Sequence, residues 1–220
     1  MLSRTGWIKL SVLVGSVLGT LIASGAQGQS HEYIMMMRSS TDSHVFVSES
    51  VDGVYGSFRR SSGGESQAAA IAPSSGDRST WQGYEMKTTV GLELRKFLSL
   101  SLGHDSVTMR SKDDSQENIR GSKLAGEAKL AFLSPMGNLE FGGAVTGSRY
   151  DYQKSAHSGG YFGSGYYYLI GWNYFMTSRV SVFGSAKIIQ EHLVPNGGDE
   201  TIPTMDTNMT ALGAGFSLWL

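Results

Sequence analysis

The chain has 220 residues, 29 of them Gly, no Cys, and 18 Lys+Arg against 19 Asp+Glu for a net charge of −1. Without Cys there is neither a disulfide framework nor a thiolate-held zinc or iron–sulfur site, and the neutral balance offers no footprint for nucleic acid. A charged fraction of 17 %, below the roughly 25 % of ordinary soluble domains, and an apolar content not gathered into any helix-length run after the N-terminus point to a β-rich chain that meets lipid through strands.

The N-terminus reads as an address. Arg4 and Lys9 stand in 1–9 with no acid, 10–23 is uncharged and apolar, and Ser24, Gly25 and Ala26 precede Gln27. A basic start, a short apolar core and a small-residue exit make a cleavable secretory signal peptide over 1–26; the apolar stretch falls short of the roughly 20 residues that cross a bilayer. The remainder, 27–220, is read as one barrel domain, with 27–43 as a possible periplasmic extension. Residues 32–38 (EYIMMMR) and the Asp52-Gly53 pair, a hairpin signal, leave open two additional short strands.

From there the apolar residues recur at every second position. Strands are predicted over 44–60, 82–94, 98–109, 121–133, 139–151, 162–175, 179–192 and 209–220, giving eight, or ten if the early hairpin is real. Tight connections at 95–97, 134–138 and 177–178 alternate with long polar ones at 61–79, 111–119, 154–160 and 195–207. Lys87, Glu93, Glu127, Lys129, Glu140, Lys187 and Glu191 all fall mid-strand on the face opposite the apolar one, among Gly, Ala and Ser. A soluble sandwich would share the period of two, but its polar face would be solvated and carry more charge. Here the small residues suit a cramped lumen in which opposite charges pair across strands, with the apolar face toward lipid. Trp172 and Tyr174 near a tight turn, and Tyr84 and Tyr166 toward the other end, suit aromatic girdles. The expected fold is all-β: a closed, antiparallel, up-and-down transmembrane β-barrel.

These features together resemble the small outer-membrane β-barrels of Gram-negative bacteria, the OmpA- and OmpX-like family. The C-terminal strand adds to the resemblance: Gly213, Phe216 and Leu218 match the spacing of that family's assembly signal, although Ala211 replaces the usual polar residue and the chain ends in Leu220 rather than Phe. The resemblance implies export to the outer membrane, insertion by its assembly machinery, and contact with outer-membrane lipid and lipopolysaccharide. It also implies four loops that meet an unidentified partner.

A side-chain-filled lumen argues against a general diffusion porin, although a narrow pore stays open as a reading. No cofactor is expected. His31, His44, His157 and His192 lack ligand spacing, so no metal is expected either. The acids Asp199, Glu200 and Asp206 are read as solvated loop charge. The leading expectation is a non-enzymatic scaffold for envelope integrity or surface binding and adhesion. The alternative is a lipid A-modifying hydrolase with Ser106 as nucleophile and His104 as base, similar to the His-x-Ser arrangement of outer-membrane lipid A deacylases. Val107 stands where those enzymes carry Asn, and no acid is obviously placed.

Overall fold

The computed structural model describes residues 33–34, 36, 43–62, 78–134, 136–154, 157–196 and 204–220. The signal peptide predicted over 1–26, most of the first long loop, and Asp199 and Glu200 lie outside the described residues. Eight strands follow one another: β1 (Ser43–Ser62), β2 (Arg78–Leu94), β3 (Leu98–Ser111), β4 (Glu117–Phe132), β5 (Asn138–Lys154), β6 (His157–Thr177), β7 (Val180–Pro195) and β8 (Thr204–Trp219). Each is antiparallel to the next, and β1 pairs with β8, so the sheet closes.

Closure satisfies the backbone N–H and C=O groups without water, the condition for spanning lipid. The register fixes the geometry. A row of hydrogen-bonded neighbours starting at Glu49 passes through Thr88, His104, Leu124, Gly147, Ser164, His192 and Asp206 and returns to β1 at Arg59, ten residues beyond its start. Eight strands with that stagger tilt by about 40° and enclose a lumen only wide enough for side chains.

The even count of eight is resolved against ten. Asp52-Gly53 is not a turn: β1 runs through it, with Asp52 opposite Glu85 and Gly53 opposite Tyr84. Within 32–38, the described residues Tyr33, Ile34 and Met36 are helical, and Ile34 is buried against Phe46, Phe175 and Trp219 at the end where the tight turns lie. Two of those turns need left-handed backbone. Arg95 and Lys96 have φ of 51° and 64°, and Gly137, at φ 121°, sits under the indole of Trp172, where any Cβ would collide. That indole donates to the Met136 carbonyl at 3.0 Å and stacks on Tyr174.

At the opposite end the strands run far beyond their predicted limits. β5 ends at Lys154 and β6 begins at His157, so the long loop expected over 154–160 is mostly strand; β8 starts at Thr204 rather than 209. Strands of 14 to 21 residues exceed the roughly 9–11 that cross a membrane. The excess has reversed polarity. In the lower part Val90, Leu102, Leu124, Val145, Ile170 and Leu212 point outward. In the upper part Gln82, Arg110, Arg120, Arg149, Asp151 and Asn208 point outward, and the inner face carries Phe58, Trp81, Met109, Ile119, Tyr152 and Met205, all buried. Alternation persists through the predicted loops, but the inward partner there is apolar. The barrel is therefore inside-out across lipid and the usual way round above it.

Candidate functional site

Three layers fill the lumen. Ile34, Phe46, Phe175 and Trp219 close the turn end, with Trp219 about 5 Å from both phenylalanine rings. The apolar upper core closes the other end. Between them lies a charged layer built from the inward positions of β1, β2, β3, β4, β5 and β7. Lys187 bonds Asp52 and, at 2.9 Å, Glu85; Lys123 bonds the other oxygen of Glu85 at 2.7 Å. Lys87 bonds Glu127 at 2.7 Å and the Tyr167 hydroxyl, on the far wall, at 2.8 Å, while that hydroxyl also donates to Glu127. Lys129 reaches Glu140 at 3.0 Å and Glu127 at 3.7 Å. Glu191 accepts from Tyr150 at 2.7 Å and Thr146 at 3.2 Å.

The structure thus brings Lys87, Glu127, Lys129 and Glu140 into one network, puts Lys187 in a second, and holds Glu191 by hydroxyls. Glu93 is buried on the same face near the turn end. Sequence reasoning missed Asp52, Glu85, Asp105 and Lys123, which are buried and belong to the same layer. Their parity was the available signal: Glu85 stands two before Lys87, and Lys123 four before Glu127. Two interior cavities among the described residues measure about 20 and 30 Å³, each of the order of one water.

Gly213 faces inward, and a Cβ there would overlap the carboxylate of Asp52. The missing side chain on β8 at this point leaves the space through which Asp52 reaches Lys187 on β7. Leu218 points outward into the apolar belt, and Phe216 is on the same face, half-buried.

His104 and Ser106 both point outward on β3, in the middle of the strand rather than at its loop end. Their cross-strand neighbours are Thr88 and Leu124 for His104, and Met86 and Ser122 for Ser106. Asp105, between them, points into the lumen. Nothing acidic stands opposite His104 to orient it; Glu49 lies two strands away, beyond Thr88. Asp206, expected as loop charge, is in β8, with its carboxylate 2.6 Å from Nδ1 of His192.

No protein-family model and no curated protein sequence matches the chain. Among solved structures, that of Neisserial surface protein A is similar with a TM-score of 0.56 at 12 % identity, covering 79 % of this chain and 96 % of the other. The N-terminal β-barrel domain of Pseudomonas aeruginosa OprF gives 0.38 at 15 % identity, over 77 % of this chain and 96 % of the other. Ail, the attachment invasion locus protein of Yersinia pestis, gives 0.42 at 9 % identity, over 78 % and 97 %. The fold likeness rests on the first of these.

Proposed function

We propose that this chain, which has the fold of the small eight-stranded outer-membrane barrels, resides in the bacterial outer membrane as a scaffold that grips lipopolysaccharide at its rim. Above the bilayer it presents a water-exposed barrel wall and loops to a surface partner. Export by the 1–26 signal peptide and insertion by the outer-membrane assembly machinery, with Gly213, Phe216 and Leu218 as the recognised strand end, belong to the same reading.

The observation that carries it is the change of outward residues from an apolar belt to a basic rim on β3, β4 and β5. Leu102, Leu124 and Val145 face out in the belt. Arg110, Arg120 and Arg149 face out above them, one on each strand, and the tilt brings the three to nearly the same height. Asp151 is an outward acid beside them, opposite Arg120. Guanidinium groups at the top of the lipid belt match the phosphates of a lipopolysaccharide headgroup, which they bind as bidentate, charge-assisted pairs.

Replacing Arg110, Arg120 and Arg149 together with Ser tests this. The variant is expected to fold, since all three are exposed, and to bind lipopolysaccharide at least about tenfold more weakly, an effect of about 1.4 kcal/mol. The parent protein is expected to lose affinity similarly when the lipopolysaccharide is dephosphorylated. Equal binding by variant and parent, or indifference to the phosphates, would overturn the proposal.

A further inference from the structure

The outward face also carries a Ser-His-Asp row. Ser164 on β6 is the register partner of His192 on β7, and His192 is the partner of Asp206 on β8; all three side chains are exposed. Directly opposed residues on adjacent strands have Cβ atoms about 5 Å apart. Asp206 and Ser164 therefore flank the imidazole from opposite sides. The carboxylate already holds Nδ1 at 2.6 Å, with both side chains about half exposed (52 % and 53 %). Nδ1 engaged by an acid leaves Nε2 directed to the other side, where Ser164 stands. That is the order of roles a nucleophilic hydroxyl, its base and the group that orients the base require.

Two clefts on the outer surface meet beside this row, at Val145 and Tyr166. One, of about 940 Å³, is lined by Ser164, His192 and Asp206 together with Arg59, Gln190 and Asn208. The other, of about 910 Å³, is a furrow in the lipid-facing belt along Leu102, Gly126, Ala128 and Gly143, where small residues leave room between larger neighbours. Val145 and Tyr166 line both. An acyl chain in the furrow would carry its carbonyl up to the level of Ser164, just above the aromatic girdle of Tyr166 and Tyr168. Gln190 accepts the Tyr166 hydroxyl at its Oε1 at 2.5 Å, so its amide nitrogen is the end that can donate to an oxyanion. Asn208, its register partner on β8, offers a second amide. Arg59, the next residue in the row after Asp206, supplies a cation for an anionic headgroup.

We propose that Ser164, His192 and Asp206 form a hydrolase site for acyl esters of membrane lipids, open sideways to the outer leaflet. Ser164 Oγ bonds to the ester carbonyl carbon while its proton passes to Nε2 of His192. The C–O bond to the lipid alcohol breaks, and the alcohol leaves with that proton. Water then attacks the acyl-serine, His192 again taking the proton, and the free fatty acid departs as Ser164 recovers its hydrogen. Ester and water give acid and alcohol; no metal or redox partner enters. Asp206 is a positioning residue, holding the imidazole in the tautomer that accepts at Nε2. The site replaces His104 and Ser106 as the catalytic candidate, because His104 has no acid opposite it.

The substrate class rests on the membrane reading above, so the experiment separates the two. The full chain in detergent is treated with a fluorophosphonate probe, and the labelled residue is identified by peptide mass. In parallel it is incubated with vesicles of phosphatidylethanolamine and phosphatidylglycerol, or of lipopolysaccharide, and released fatty acid is measured. Labelling is expected at Ser164, retained in Ser106→Ala and lost in Ser164→Ala. Fatty-acid release is expected to fall by about 10³-fold or more in Ser164→Ala and in His192→Ala. Release from phospholipid or from lipopolysaccharide identifies which lipid supplies the ester. Absence of label at Ser164, release that survives Ser164→Ala, or label without release from either vesicle overturns the proposal. The mobility difference between unboiled and boiled samples is followed in the same preparations; it reports the detergent-resistant barrel independently of any hydrolysis.

Discussion

Replacing Lys187 with Met is expected to remove about 3–5 kcal/mol of stability, the cost of breaking a buried ion pair by deleting one partner. Lys187 bonds Asp52 and shares Glu85 with Lys123, and both carboxylates are almost wholly shielded from solvent, at 0 % and 1 % exposure. Deleting the ammonium leaves the Asp52 carboxylate buried over Gly213 of β8 without its cation. Lys129→Met is the comparison. That side chain is 19 % exposed, and Glu127 keeps Lys87 at 2.7 Å when Lys129 is gone. Urea titration in lipid vesicles, scored by the unboiled-gel mobility of the folded form, measures both. A Lys187→Met midpoint no lower than that of Lys129→Met would mean that the charged layer is not the clamp described.

Trp81→Ala is expected to cost a similar 3–5 kcal/mol, but locally. Trp81 is fully buried at the top of β2, edge-on to Phe58 at 5.2 Å and to Tyr152 at 6.2 Å, and its indole N–H donates to Ser79 at 2.6 Å. It belongs to the apolar upper core. Its loss should loosen that part and leave the rest intact. Hydrogen exchange reads this directly: amides of Met109 and Ile119 should exchange much faster in the variant, those of Leu100 and Leu130 at the parental rate. Uniform acceleration along the strands would show that the two halves are one cooperative unit.

The strands, the closure and the seven inward charges were legible in the sequence because one face stayed apolar over ten or so residues. What was lost was the upper third of the barrel. The stretch Thr204-Met205-Asp206-Thr207-Asn208 alternates as regularly as Leu139 to Val145, yet Asp206 and Asn208 face out and Met205 faces in. A polarity test keyed to lipid reads such a segment as loop, because it presumes that the apolar face meets the membrane. Asp206 was misplaced for the same reason. Asp52 was obscured differently: beside Gly53 it mimics a hairpin, and only the register shows that the turn signal belongs to a lumen carboxylate and a lipid-facing glycine. The Ser164–His192–Asp206 row could not be read from spacing at all. It depends on the registers of two strand pairs, which closure and stagger set jointly.

Partway along, the strands change surroundings, apolar outward below and apolar inward above. Because the chain has no Cys, single cysteines report it cleanly. Arg120→Cys, Leu124→Cys, Leu130→Cys and Ile119→Cys on β4, in protein reconstituted into vesicles, would be exposed to a membrane-impermeant maleimide. Rapid labelling is expected at position 120 alone, with 124 and 130 shielded by lipid and 119 by the upper core. Labelling at 124 as fast as at 120, or at 119 at all, would contradict it.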